Sequence, residues 1–160
     1  MSQQMMKTVT VRWTAIVACL VLLVAACSSG ESVPDPQPMP QGMSFSGMWY
    51  SPQFEHLYLR QDGDRVEGVY GHRRGGTLEG RVEGNLLLFS WDEPGDRTAA
   101  VRGASGQGYF QLRFDGQEPE LVGQWGYEEA RVGGGQWTAE LIREVRDSDP
   151  STIEEFFRVH

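Results

Sequence analysis

The chain has 160 residues, 20 of them glycine, and a formal net charge of −8, which is enough for one ordinary domain. The acidic balance excludes a basic face for nucleic acid or for anionic lipid head groups. No Gly-x-Ser-x-Gly, His-Glu-x-x-His or phosphate-loop pattern is present, so we expect no enzyme, no catalytic residues and no cofactor.

Residues 1–26 have the organisation of an export signal peptide. Lys7 and Arg12 give a positive start, and the 13 residues 14–26 form an apolar run. That run is shorter than the ~20 residues needed to span a bilayer, but it suits the apolar region of a signal peptide. The run is followed directly by a cysteine, and this junction consists of Val24, Ala25, Ala26 and Cys27.

This junction resembles the lipobox of bacterial lipoproteins. The resemblance implies cleavage before Cys27, attachment of diacylglycerol to its thiol, and usually a further acyl chain such as palmitate on the new amino terminus. It implies a lipid-anchored protein of the bacterial cell envelope, on the periplasmic side, and Ser28 after the cysteine implies the outer membrane. Since Cys19 would be removed and Cys27 acylated, no structural disulfide is expected. A plain signal peptide or a membrane anchor with a chance cysteine is the alternative.

Residues 27–42 are interpreted as a tether. Prolines at 34, 36, 38 and 40 favour an extended, semi-rigid chain. At ~3.1 Å per residue the tether reaches roughly 45 Å and holds the domain away from the membrane.

Residues 43–146 predict an all-β domain, because short apolar and aromatic runs alternate with glycine-rich and acidic turns. Since the connections are short, we expect a small antiparallel up-and-down meander barrel of eight or nine strands, with a β-sandwich as the alternative. The predicted strands lie near residues 44–51, 56–61, 65–71, 76–83, 86–92, 97–104, 107–114, 121–128 and 135–144.

The tail, residues 147–160, predicts a short C-terminal helix. Asp149 suits the cap position, Pro150 the first helical position, and Glu154 the positive end of the helix dipole. A disordered tail is the alternative at this length.

Gly47, Met48 and Trp49 at the start of the first strand match the Gly-x-Trp of the calycin group, to which lipocalins and avidins belong. The domain resembles that group. The resemblance implies that Trp49 plugs a closed end and that ligand enters at the opposite end. Two further Gly-x-Trp pairs stand at Gly123–Trp125 and Gly135–Trp137.

Successive turns of a meander lie at alternate ends of the barrel. This assignment places residues 62–64, 84–85 and 128–134 at the closed end. Trp49 and Trp137 lie near that end, and Trp125 lies about one turn away. Residues 51–55, 72–75, 92–96 and 115–120 then lie at the open end.

The loop with Arg73 and Arg74 is flanked by glycine, and paired arginines of this kind can hold an anion. The acidic loops lack regular Ca²⁺ ligand spacing and the two histidines lack a metal spacing rule, so no metal is expected. The candidate ligand-binding residues are His56, Tyr70, His72, Arg73, Arg74 and Trp91.

The predicted function is a lipid-anchored envelope protein whose barrel binds a small or lipidic ligand, or a peptide, at its open end. The alternative is an assembly or structural lipoprotein that contacts another envelope protein. We expect a hydrolase or isomerase less than either of these two functions. Filling of the barrel separates the first two hypotheses. If all the large side chains point inward, the barrel is full and has no room for a ligand. These residues are Leu59, Tyr70, Leu88, Trp91, Phe110, Phe114 and Trp125.

Overall fold

A computed structural model describes residues 32–72, 75–96 and 98–143. Within them, eight strands close into one antiparallel barrel in which sequence neighbours pair in order and the last strand pairs with the first. This confirms the predicted all-β meander barrel with eight strands, and the β-sandwich alternative is wrong. The strands are β1 Gly47–Ser51, β2 Glu55–Asp62, β3 Arg65–Tyr70, β4 Gly76–Glu83, β5 Leu86–Glu93, β6 Ala104–Arg113, β7 Glu120–Tyr127 and β8 Gly135–Arg143.

The strand predicted at residues 97–104 is wrong. Asp96 and Val101 form only an isolated bridge, and a turn connects them. The Asp96 carboxylate accepts hydrogen bonds from the backbone N–H of Thr98, at 2.8 Å, and of Ala99, at 3.3 Å. Ala100 then takes a positive φ of 53°. A side chain that caps its own backbone offers the chain a turn instead of a sheet ladder, so the apolar run here does not extend a strand.

Because the predicted strand at residues 97–104 is absent, each later turn lies at the end of the barrel opposite to the one predicted for it. We call the end formed by residues 63–64, 84–85 and 114–119 the closed end. We call the end formed by residues 52–54, 71–72, 75, 94–96, 98–103 and 128–134 the mouth. Residues 115–120 were predicted at the mouth and lie at the closed end, while residues 128–134 were predicted at the closed end and lie at the mouth.

Glycines opposite aromatic residues shape the interior. Gly80 and Gly108 flank Phe89 on the two neighbouring strands, and Gly106 faces Trp91. Gly123 lies opposite both Phe110 and Trp137. An eight-stranded barrel is only wide enough for side chains, so a ring fits where the facing residue has none.

The closed end is sealed by chain that precedes β1. Phe45 and Trp49 are fully buried, and the indole Nε1 of Trp49 donates to the Phe45 carbonyl at 3.0 Å. The backbone N–H of Phe45 donates to Oε1 of Gln61 at 2.9 Å. Met39 and Met43 pack against the same core. Trp49 therefore occupies the end that the Gly-x-Trp resemblance implied.

The proline-rich segment also contacts the barrel. The backbone N–H of Gln37 donates to Oδ1 of Asn85 at 2.8 Å, and the backbone N–H of Asn85 donates back to the Gln37 carbonyl at 2.8 Å. Asn85 also donates from Nδ2 to the Leu112 carbonyl at 3.0 Å. From Gln37 onward the segment predicted as tether is attached to the closed end, so free tether ends before that residue.

Two predicted segments lie outside the described residues: the export signal with Cys27, and the helix of residues 147–160. Across the described ranges, no helix is long and apolar enough to cross a membrane.

Candidate functional site

A cavity of about 210 Å³ opens at the mouth. A core cluster in the interior of the barrel includes Leu57, Leu59, Leu78, Phe110 and Leu112. Two further depressions lie on the surface of the described residues, one beside Phe114 and one beside Ser90. The cavity is lined by Gln53, Phe54, Tyr70, His72, Trp91, Glu93, Ala104, Trp125, Tyr127 and Trp137.

Phe54, on the turn between β1 and β2, forms part of the cavity wall. Its ring lies 4.2 Å from that of Trp137, centroid to centroid, and 5.2 Å from the His72 ring. It also meets Tyr70 and Trp125 edge to face, each at 5.9 Å. Each such pair contributes about 0.5–1.5 kcal/mol beyond its buried area. Phe54 therefore contacts four other rings of the cavity lining and stabilises their arrangement.

Polar contacts fix this turn in place. The Ser51 hydroxyl oxygen accepts hydrogen bonds from the backbone N–H groups of Gln53, at 3.3 Å, and Phe54, at 3.2 Å. The Gln53 side chain exchanges hydrogen bonds with Thr138 on β8, the shorter of them 3.2 Å. Glu55 follows at a positive φ of 62°. The turn is therefore tied to two strands and turns sharply into β2.

Three further rings form a corner of the cavity. Trp91 and Trp125 lie 5.7 Å apart with planes at 86°, and Trp125 and Tyr127 lie 5.1 Å apart at 81°. Trp91 and Tyr127 lie 5.9 Å apart at 65°. Trp91 is anchored by its Nε1, which donates to the Gly126 carbonyl at 3.2 Å. Tyr127 is 57% exposed and forms the outer rim.

Tyr70 and Glu93 supply the polar contact of the cavity. The Tyr70 hydroxyl donates to Oε1 of Glu93 at 3.3 Å. Burial, followed by the negative charge of Glu93 and this hydrogen bond, raises the pKa of Tyr70 above its ordinary value of 10.0. The phenol therefore keeps its proton and acts as a donor, while Glu93 contributes the negative charge.

Trp137 has an unsatisfied donor. Its side chain is 1% exposed, and its buried Nε1 has no hydrogen-bond partner among the described residues. A buried N–H without an acceptor costs roughly 1–3 kcal/mol.

The structure brings together three of the predicted ligand-binding residues: Tyr70, His72 and Trp91 all line the cavity. His56 does not line it. Its exposed side chain lies on the outer wall, with its ring 5.6 Å from that of Tyr50. Arg73 and Arg74 lie outside the described residues.

Sequence reasoning missed Phe54 and assigned Trp125 and Trp137 to the wrong end. The second and third Gly-x-Trp pairs were a signal for the two tryptophans, but counting nine strands put both at the closed end. Phe54 had no signal, because its position depends on how the turn between β1 and β2 folds back over the barrel.

Within the described ranges no group of three or more histidine, cysteine, aspartate or glutamate side chains could hold a metal ion. No family model, curated protein or solved structure matches the chain.

Proposed function

We propose that this protein is a non-enzymatic binding module of the bacterial cell envelope that holds a small molecule in the mouth cavity. The observation that carries the proposal is a cavity of about 210 Å³ lined by six aromatic side chains at the mouth of a barrel with a buried apolar core. Ligand sites in proteins are concave and mostly apolar, with a few polar groups that orient the ligand. Tyr70 and Glu93 are such groups.

The packed interior narrows the class of ligand. Of the large residues that separate the hypotheses, Leu59, Tyr70, Trp91 and Phe110 belong to the buried core, whereas Phe114 is 40% exposed. Leu88 alternates with the inward Leu87 and Phe89 and faces outward. These buried side chains favour a compact ligand over an acyl chain.

Tyr70 and Glu93 are joined by a hydrogen bond. Because the pKa of Tyr70 is raised by burial and by Glu93, the phenol stays protonated at neutral pH and donates to the carboxylate, whose orientation it fixes. Both groups act as fixed recognition elements in this proposal.

Lipid anchoring through Cys27 is part of the proposal. It is supported by the sequence of residues 1–27 and is consistent with attachment of the chain at the closed end, where Gln37 binds Asn85. Two or more acyl chains would give stable anchoring, most simply at the outer membrane.

Native mass spectrometry of the protein purified from envelope extract tests the binding function. We expect a small molecule to be retained by the wild type. The variant Ala104→Phe fills the cavity, since Ala104 lines it, and should lose that molecule. The matched control Ala99→Phe places the same side chain on an exposed turn and should retain it. Equal retention by both variants, or an empty wild-type protein, contradicts the proposal.

Cys27→Ser tests the anchor separately. We expect the variant to stay as the unprocessed precursor and to lose labelling by radioactive palmitate. Normal processing to a chain that begins at residue 27 would contradict the lipoprotein assignment, while leaving the cavity argument intact.

The alternative is an assembly or structural lipoprotein, and exposed apolar side chains on the outer wall of the barrel support it. Tyr50 on β1 is 45% exposed and Ile142 on the adjacent β8 is 52% exposed, so two large apolar side chains face solvent on neighbouring strands. Co-purification of a second protein in fixed stoichiometry, lost on Tyr50→Ser, would favour this alternative.

A further inference from the structure

The mouth cavity has walls suited to a positively charged organic ligand. Six aromatic side chains line it, and Glu93 is the one carboxylate among the described residues around it. The face of an aromatic ring carries partial negative charge and attracts a cation within about 6 Å of the ring centroid. Several such faces beside a carboxylate favour a cation over a neutral molecule of the same shape.

We propose that the cavity binds a small methylated ammonium ion of the choline type, with Trp91, Trp125 and Tyr127 as walls and Glu93 as the counter-ion. This inference deepens the proposed binding function and rests on it.

The three walls meet at steep angles. Trp91 and Trp125 are nearly perpendicular, at 86°, and so are Trp125 and Tyr127, at 81°. Because the rings of each pair are already in edge-to-face contact, the ion lies on their cavity side and not between them. A quaternary ammonium group is tetrahedral and presents methyl groups in several directions, so it can contact more than one ring there. The closest pair, Phe54 and Trp137, lies at 4.2 Å and leaves no gap between its rings.

Glu93 is the acidic side chain of the cavity lining, whereas Asp92 lies on the outer wall. The His72 imidazole also lines the cavity, with its ring 5.2 Å from that of Phe54. Arg131, on a mouth loop, directs its guanidinium to the carbonyl oxygens of Phe89, at 3.4 Å, and Gly108, at 3.3 Å. It does not line the cavity.

The volume fits a compact ion. A cavity of roughly 150 Å³ holds a benzene-sized molecule. The 210 Å³ measured here admits a ligand somewhat larger than that, and Phe54 limits anything longer.

Isothermal titration of the purified protein with choline and with its neutral isostere 3,3-dimethylbutan-1-ol tests the inference. We expect choline to bind at least about tenfold more tightly than the alcohol, because the two share a shape and differ in charge. Vesicles of phosphatidylcholine and of phosphatidylglycerol form the second arm. Binding of phosphatidylcholine vesicles without binding of free choline would overturn the dissolved ion as the source.

Two substitutions separate charge from shape. Glu93→Gln keeps an acceptor for the Tyr70 hydroxyl and removes the charge, so it should weaken choline binding several-fold and reduce the preference for choline over the alcohol. Glu83→Gln, at the end of β4 on the closed end, removes the same charge away from the cavity and should change neither. Trp125→Leu should abolish the preference for choline, while Trp125→Phe should keep part of it.

The outcomes distinguish this inference from the function on which it rests. Equal affinity for choline and the alcohol leaves a binding cavity and overturns the cation. If neither choline nor the alcohol binds but native mass spectrometry shows a different retained molecule, the binding cavity again stands and the cation is overturned. Failure of both probes together with an empty native protein overturns the binding function as well.

Discussion

Gly108 lies directly opposite Phe89 in the pairing of β5 with β6, and a Cβ on this glycine would lie 2.5 Å from the outermost carbon of the ring. It would also lie 2.8 Å from the backbone carbonyl oxygen of Gln124. The ring can move only against a packed interior, and the carbonyl belongs to a strand. The glycine is therefore required by the filling of the barrel.

Gly108→Ala should lower the free energy of unfolding by about 1–3 kcal/mol, the usual cost of overpacking a core. Gly71→Ala is the matched control, because the nearest atom to a Cβ there is 3.5 Å away, which is ordinary contact. Urea unfolding monitored by tryptophan fluorescence measures both. Equal stability of the two variants would show that the interior has room that the structure lacks.

Asn85 should act as a clamp between the segment before β1 and the barrel. Asn85→Asp keeps the acceptor for the Gln37 N–H but loses the Nδ2 donor to Leu112, whereas Asn85→Ala loses both contacts. Each lost partner leaves a buried or half-buried group unsatisfied, at about 1–3 kcal/mol. We expect unfolding free energies in the order wild type, Asp, Ala.

Limited proteolysis should report the same clamp. Asn85→Ala should expose the bonds around Gln37 to cleavage sooner than in the wild type, because the two residues are joined through side chain and backbone. Unchanged cleavage in Asn85→Ala would mean that Met39 and Met43 alone hold the segment.

Phe54→Ala should open the mouth. The Phe54 ring covers Trp137, which is 1% exposed, so removing it should raise the quenching of tryptophan fluorescence by acrylamide. The loss of a partly buried ring should also lower stability by up to about 3 kcal/mol. Phe114→Ala, at the exposed closed-end loop, should change neither quantity. Similar quenching in both variants would contradict the covering role of Phe54.

Tyr70 should make the fold sensitive to alkali. Its pKa is above 10.0 in the folded protein because of burial and the nearby Glu93 carboxylate, while an unfolded tyrosine loses its proton near 10. Above that pH the unfolded state binds one proton fewer, so stability falls as pH rises. Tyr70→Phe should fall less steeply between about pH 9 and 11 in urea unfolding. Parallel curves for the two proteins would count against a buried, protonated phenol.

The closed barrel was predictable, and so were most strand positions. Alternation along Leu78, Gly80 and Val82 and the tight turns at Gly63 and Gly84 specify inward faces and hairpins from neighbouring residues alone. The failure at residues 97–104 has a local cause, since the Asp96 side chain caps a turn within an apolar stretch. Because each strand reverses direction, that single miscount moved Trp125 and Trp137 to the wrong end.

Local sequence by itself determined that this chain makes short antiparallel strands, because side-chain period and turn chemistry act over a few residues. It also determined the acidic balance and the cysteine at residue 27. Only the tertiary structure decided that Phe54, Tyr70, Trp91 and Trp125 surround one cavity, because their meeting depends on closure of the barrel and on strand parity summed over the whole chain. Closure brings residues far apart in sequence within reach of one ligand, and no short segment contains that information.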